Sequence, residues 1–371
     1  MSGITLMVLG SGGSLPLPVN SVAPVVSGTA QSGQTLSSTT GTWVGVVDNY
    51  SYQWQRGAGA SYSNISGATG STYTVTSGDA GYLLRCQVRA TNVTGTSDPA
   101  SSNATALVPG QVVLSGSGGT QNWVVPPAVT SVSYMLVGRG GQTNAISNQV
   151  TPGRGGGGGA SVYSNNASVS GGSTLTVYFA FNSARGSAYQ GTYFNGAFAE
   201  GGNRSGSNGT GGNSTYCYGG TANTAGNGGA NGTGAGAGAA GYSGSGGNGG
   251  GQKSTGSSGS GGAGGGAGGS SPYATRGGAG GGGVGLLGEG ANGSGGAAQS
   301  GGGGGSGGGT GGAIQTFSGG SGGAYGGGGG GGGAGYDYDP SPGAAGSGGS
   351  GGVRIMWGTN RSYPSTNTAN Q

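Results

Sequence analysis

Histidine is absent from the 371 residues, which removes the commonest general base and the commonest metal ligand. Charge is scarce as well, with Asp, Glu, Lys and Arg together making only 5% of the chain. The acids after residue 100 are Glu200, Glu289 and the pair Asp337/Asp339, too few for paired-carboxylate catalysis. The net charge of +4 comes from well-separated arginines and one lysine, Lys253, so there is no basic patch of the kind nucleic acid requires. Cys86 and Cys217 are the 2 cysteines. With no CxxC spacing and no histidine nearby they exclude a zinc site, and they stand as one disulfide or as two buried, idle thiols. No apolar run approaches the ~18–20 residues of a membrane-spanning helix. The run Ile4–Leu9 has no positively charged leader and is short for a signal peptide, so a soluble protein made in a cytoplasm is expected. No cofactor motif is present, and an enzyme is the least expected class.

What the chain does have is glycine, 106 of them, most between Gly153 and Val353 and including the unbroken run Gly326–Gly333. Glycine costs about 1 kcal/mol relative to Ala in a helix interior and contributes no side chain to a core. Helix and conventional core are both excluded there. Two states remain: a disordered linker, or a packed array of extended threefold glycine helices, which lie side by side because no Cβ separates them. The array is expected to carry a non-glycine every third residue on one face, as in Ser245/Asn248, Ser321/Ala324 and Ser347/Ser350/Val353. With 12 prolines the chain is not collagen. Large residues such as Tyr216-Cys217-Tyr218, Tyr242, Pro272-Tyr273, Leu286-Leu287 and Tyr336–Pro340 are expected at turns between glycine helices.

Two short motifs fail on inspection. Gly246–Thr255 reads GGNGGGQKST, but a phosphate loop needs glycine immediately before the lysine and Gln252 stands there. Arg139, Arg154 and Arg276 each precede Gly-Gly, yet three scattered arginines do not make an RNA-binding repeat.

Ahead of the glycine region, residues 1–21 read as an attachment segment and linker. Ile4, Leu6 and Val8 alternate as in a half-buried strand, open either as a free tail or as a strand that pairs with a partner chain. Residues 22–108 predict short strands at Ala23–Ser27, Gln34–Ser38, Tyr50–Gln55, Thr72–Val75, Leu83–Thr91 and Thr105–Val108, a spacing that suggests a β-sandwich. Gly41-Thr42-Trp43, Tyr52-Gln53-Trp54-Gln55-Arg56, Ser71–Val75 and Asp79-Ala80-Gly81 through Arg85-Cys86 make this segment resemble bacterial and phage Ig-like modules. The resemblance implies that Trp54 is the buried core tryptophan. It also implies that Leu36 occupies the place of the missing disulfide partner of Cys86.

Residues 109–200 predict a second set of strands, at Val112–Leu114, Trp123–Val125, Val132–Val137, Ala160–Tyr163, Leu175–Phe181 and Tyr189–Phe198. Residues 201–352 are the glycine-rich region, and 353–371 a closing strand and tail. In that strand Val353, Ile355 and Trp357 alternate with Arg354 and Met356, which predicts one apolar face and pairing with strands that precede the glycine region. Trp123–Pro126, Val132–Gly138, Gly155–Gly159, Leu175-Thr176-Val177 and the closing Gly348–Trp357 resemble the glycine-rich domains of phage tail-fibre adhesins. The expected fold is therefore all-β: an Ig-like sandwich, then a β-sandwich framing a polyglycine-II-like array, with Trp123 and Trp357 as structural anchors.

That resemblance implies a bacteriophage virion protein, a tail fibre or tail-tip adhesin, that binds without chemistry. Its expected partners are other virion proteins through the N-terminal segment, a host cell-surface saccharide or outer-membrane protein, and further copies of itself. Expected receptor contacts are Tyr216, Tyr218, Tyr273, Arg276, Tyr336, Asp337, Tyr338 and Asp339, on loops of a rigid scaffold. Asp337 and Asp339 stand open as cation ligands, sugar contacts or a plain surface turn. The alternatives are a capsid decoration or head-fibre protein and a bacterial surface matrix protein.

Overall fold

The computed structural model describes residues 14–142, 155–183, 186–203, 211–223, 235–250, 254–264, 279–287, 289, 291–296, 300–305, 308–313, 318, 320–327, 344 and 346–363. Among these residues there is no α-helix, only 3-10 turns at Ser77–Asp79 and Ser214–Tyr216. The chain is all-β. It divides into two compact units, Met1–Gly110 with Pro126–Val129, and Gln111–Val125 with Thr130–Gln371.

The first unit holds β1 (Val19–Val22), β2 (Val26–Ser27), β3 (Thr35–Ser38), β4 (Thr42–Val44), β5 (Asn49–Gly57), β6 (Tyr62–Asn64), β7 (Thr72–Thr74), β8 (Leu83–Asn92), β9 (Gly95–Thr96) and β10 (Ala100–Ser101). One sheet has the order β10-β8-β5-β6 with β9 alongside β8, a second has β2-β3-β7, and β1 pairs β4. Between the two larger sheets lie Val26, Leu36, Trp54, Val75, Leu84, Cys86, Val88 and Val108. Trp54 is fully buried, sits opposite Cys86 across β5 and β8 and stacks on Tyr73 at 5.6 Å between ring centroids. Its indole N–H donates to the Gly70 carbonyl at 2.9 Å, so the ring is buried without orphaning its polar atom. Leu36 is fully buried in the same cluster as Cys86. Thr105–Val108, expected as a strand, is irregular, yet its Thr105 and Val108 N–H groups donate to the Leu84 and Tyr82 carbonyls at 2.8 and 2.9 Å.

Asp79 holds the turn that leads into β8. Its carboxylate is fully buried and accepts from the Tyr73 hydroxyl (2.7 Å), the Thr76 N–H and the Thr76 hydroxyl (both 2.9 Å). Arg56 Nη1 lies 3.4 Å from its other oxygen. A buried charge is tolerated only when so paired.

The second unit is built on β11 (Gly110–Gly116), β12 (Thr120–Val124), β13 (Ser131–Val137), β14 (Ser161–Ser168), β15 (Thr174–Ser183), β16 (Gly186–Phe194), β17 (Ala197–Ala199), β18 (Thr221–Asn223) and β19 (Gly351–Trp357). One sheet has the order β11-β19-β13-β14-β18 and the other β12-β15-β16-β17. They face each other through aromatics: Trp123 stacks on Trp357 at 5.7 Å, and Tyr134 meets Phe194 edge-on at 5.4 Å. The opposite face of the five-stranded sheet is covered by the glycine-rich chain. There Met135, Val137 and Met356 pack with Ala239, Tyr242, Val284, Leu286 and Tyr363.

β19 therefore departs from the one-faced strand that alternation predicts. Every residue in it is buried, because one face meets the four-stranded sheet and the other the glycine segments. Arg354 is fully buried, donating from Nε to Gln111 Oε1 at 2.6 Å and from Nη1 to the Leu286 carbonyl at 3.1 Å. Tyr242 and Leu286 lie at bends as expected, with Gly241 donating to Gly244 across the one at Tyr242, but their side chains are also buried, since the array has its own apolar seam against the sheet. Leu287, next to Leu286, is exposed.

The glycine segments hydrogen-bond in a repeating pattern. Ala235, Gly236 and Ala237 donate in turn to the carbonyls of Gly250, Ala279 and Gly156, at 2.8–3.3 Å. The next three residues, Gly238, Ala239 and Ala240, donate to Gly247, Gly282 and Gly159, at 2.8–3.0 Å. Successive N–H groups thus address three different neighbouring segments, and the order repeats every three residues. Residues 279–283 in turn accept from Gly236, Gly302, Gly323, Ala239 and Gly305, with the same period. Exposure follows this rhythm in two of the three expected sets: Ser245 and Asn248 are exposed while Gly247 and Gly250 are buried, and Ser321 and Ala324 are exposed while Gly323 and Gly326 are buried. In the third, Ser347 is exposed, Ser350 half-buried and Val353 buried where the chain enters β19.

Glycine is required here by proximity. A Cβ on Gly280 would collide with the Ser321 carbonyl, on Gly281 with that of Ala237, on Gly282 with that of Gly303 and on Gly283 with that of Ala324. Every side-chain direction of this segment is filled by neighbouring backbone. Each hydrogen bond contributes about 0.5–1.5 kcal/mol against a backbone ordering cost of about 1–2 kcal/mol per residue. Hydrogen bonds alone do not hold such an array. The apolar seam against the sheet, at about 1.5–3 kcal/mol for each fully buried large side chain, is what anchors it.

Candidate binding face and its tyrosines

The outer face of the four-stranded sheet carries a row of aromatics set by strand register. Thr120 lies opposite Tyr178, Tyr178 opposite Tyr193, and Tyr193 opposite Phe198. Beyond the last strand, Phe198 and Tyr218 form an antiparallel bridge, with N–H to carbonyl distances of 3.0 and 3.3 Å. Directly opposed residues share one face, so Tyr178, Tyr193, Phe198 and Tyr218 form a continuous line across the sheet. Ring centroids are 5.9 Å apart for Tyr178–Tyr193, 6.5 Å for Tyr193–Tyr218 and 5.6 Å for Phe198–Tyr218. Tyr178 is 38% exposed and Tyr218 47%. Phe198 is buried beneath Tyr218.

Period-two alternation explains the division of labour. Along β15 Val177 and Phe179 are buried, whereas Tyr178 is exposed. On the same outer face Thr176 donates its hydroxyl to Asn122 Oδ1 at 2.9 Å. Burial, then the neighbouring Tyr193, push the Tyr218 phenol up, so it presents a neutral hydroxyl at physiological pH.

Tyr216 and Tyr218 flank Cys217 at the turn Ser214–Tyr216. Asn213 caps this turn, its Oδ1 accepting from the Thr215 N–H at 2.9 Å, and its own N–H donates to the buried Glu200 carboxylate at 2.7 Å. The Cys217 sulfur accepts from the Glu200 N–H at 3.3 Å and its thiol donates to the Asn213 carbonyl at 3.5 Å. Cys217 is thus the inward plug that leaves both tyrosines outward, with Tyr216 40% exposed. Burial pushes the Cys217 thiol up to about 12. Burial raises Cys86 as well, and both are free thiols.

Of the residues expected to contact a receptor, Tyr216 and Tyr218 are brought together on one surface. Tyr273, Arg276, Tyr336, Asp337, Tyr338 and Asp339 lie outside the described residues. Sequence reasoning missed Tyr178 and Tyr193. The available signal was the alternation of Thr174, Thr176 and Tyr178 with Leu175, Val177 and Phe179.

In the first unit, Val19 and Val44 sit directly opposite each other on β1 and β4, 63% and 64% exposed. Among the described residues no group of acids and cysteines is placed to hold a metal ion. No helix among them is long and apolar enough to cross a membrane. Comparison with family models, with characterised proteins and with solved structures gives no match.

Proposed function

We propose that this chain is a bacteriophage virion structural protein of the tail-fibre or tail-tip adhesin type, which binds a host surface receptor through side chains displayed on a glycine-rich scaffold. The observation that carries the reading is the hydrogen-bonded glycine array seamed onto a two-sheet frame. It supports a rigid, nearly uncharged support for exposed tyrosines, resistant to proteolysis because its backbone is engaged, and with no use for catalytic groups. In this reading the array is polyglycine-II-like and the first unit is an Ig-like spacer. The exposed Val19–Val44 pair supports contact with other virion proteins near the N-terminal segment.

The test is adsorption of the labelled full chain to a panel of bacterial strains, with unlabelled chain as competitor. Saturable, competable binding to at least one strain is the expected result. No specific binding to any strain, together with hundreds of copies per particle in a purified virion, would replace the adhesin by a capsid decoration protein.

A further inference from the structure

We propose that the line Tyr178–Tyr193–Tyr218 is a platform for an uncharged glycan chain, with the apolar C–H faces of successive sugar rings lying along it. The inference rests on the adhesin reading and gives it a ligand class and a contact face beyond the turn residues expected from sequence.

Three observations select this occupant. First, the rings form a line rather than a patch: Tyr178 and Tyr193 are directly opposed on β15 and β16, and Tyr218 stands across an isolated bridge from Phe198, which opposes Tyr193. A linear polymer matches a line. Second, none of β12, β15, β16 and β17 contains a charged residue, and Glu200, which follows β17, is fully buried. A sialylated, sulfated or phosphorylated chain would find no counter-charge on these strands, and nucleic acid would find none either. Third, the margin of the line is mostly hydroxyl and amide, with the exposed Val124 as an aliphatic neighbour opposite Thr174. Thr120, Asn122, Thr174 and Thr176 share the face, and Thr176 donates to Asn122 Oδ1, a bond that does not use the Asn122 Nδ2 donors. A protein partner favours an apolar core with a desolvated centre; a sugar favours aromatic faces with a few placed polar groups. Tyrosine supplies apolar area and a hydroxyl at low entropic cost.

The experiment is a glycan array carrying neutral hexose and N-acetylhexosamine oligomers beside sialylated and sulfated ones, probed with the full chain and with Tyr178→Ala, Tyr193→Ala and Tyr218→Ala. Retained thermal midpoints and near-UV spectra establish that the variants fold. The expected result is binding confined to neutral oligomers, weakened about tenfold by each substitution and kept in large part by Tyr178→Phe. Absence of any neutral hit, preference for the charged glycans, or binding by all three variants equal to that of the unsubstituted chain would overturn the proposal. Cell adsorption separates it from the parent reading. Equal adsorption of the unsubstituted chain and the triple tyrosine variant would overturn the platform and leave the adhesin. A chain that binds neutral glycans through the tyrosines but adsorbs to no cell keeps the platform and loses the adhesin.

Discussion

Val137 lies opposite Gly352 across β13 and β19. The last residue of a strand before the glycine-rich sequence thereby pairs with the strand that follows it, and everything between is returned to its starting point. Five consecutive pairs, from Ser133–Met356 to Val137–Gly352, fix that closure. On the same strands Met135 and Met356 reach into the seam with the glycine segments.

Removing this closure is expected to release the glycine array as a whole. Truncation after Ser350, or Ile355→Asp within the fully buried strand, is expected to make the glycine segments sensitive to protease while the first unit stays folded. Limited proteolysis with mass spectrometry reads this. An array that remains resistant without β19 would show that the seam is not its anchor.

The crowding around the segment 280–283 yields a paired glycine test. Gly281→Ala places a methyl group on the Ala237 carbonyl and is expected to destabilise the second unit by about 1–3 kcal/mol, the usual cost of overpacking. Gly118→Ala meets nothing within 4 Å and is expected to be neutral or stabilising by up to about 1 kcal/mol, through the unfolded chain. Urea denaturation compares them. Equal effects would mean that the glycines are interchangeable filler.

Asp79 is the electrostatic pivot of the first unit. Asp79→Ala leaves the Thr76 N–H, the Tyr73 hydroxyl and Arg56 without their common acceptor, and a loss of about 2–4 kcal/mol is expected from unpairing buried polar groups. The near-UV signal of Trp54, stacked on Tyr73, is expected to be lost at lower denaturant. An unchanged midpoint would contradict the assignment.

Alkaline pH is expected to weaken the second unit. The Cys217 thiol is raised from an ordinary value of 9.0 to about 12 by burial. Below about 9 both folded and unfolded chains hold this proton. Between about 9 and about 12 the unfolded chain releases it and the folded chain keeps it, so stability falls with rising pH across that window. Burial raises Tyr134 and Tyr363 in the same direction. The thermal midpoint is expected to be level from about pH 6 to 8.5 and to fall above about 9, with a shallower slope in Cys217→Ser. Identical slopes would remove Cys217 from the account. Native chain is also expected to resist thiol reagents at neutral pH, since the thiolate is the reactive form.

Much of the β framework was legible because side-chain alternation records it. Val132–Val137, Leu175–Phe181 and the closing Val353–Trp357 all fall on strands, and Trp54 is the core tryptophan of its unit. What alternation does not record is what covers the second face of a sheet. That is why β19 reads as half-buried while Arg354 is wholly enclosed. The array was legible as a period of three and not as a set of neighbours, because glycine carries no side chain by which one segment marks its partner. The tyrosine line was hidden for a related reason. Tyr178 and Tyr193 are aligned by register between separate strands and Tyr218 by a bridge to Phe198, and no spacing along the chain encodes it.

The central claim is that the glycine sequence is a hydrogen-bonded scaffold, and amide hydrogen exchange tests it most directly. Peptides covering residues 235–250 and 279–285, many of whose N–H groups are bonded to neighbouring segments, are predicted to exchange as slowly as β13 and to lose protection together with it in denaturant. Complete exchange of those peptides within seconds, while β13 stays protected, would contradict the account.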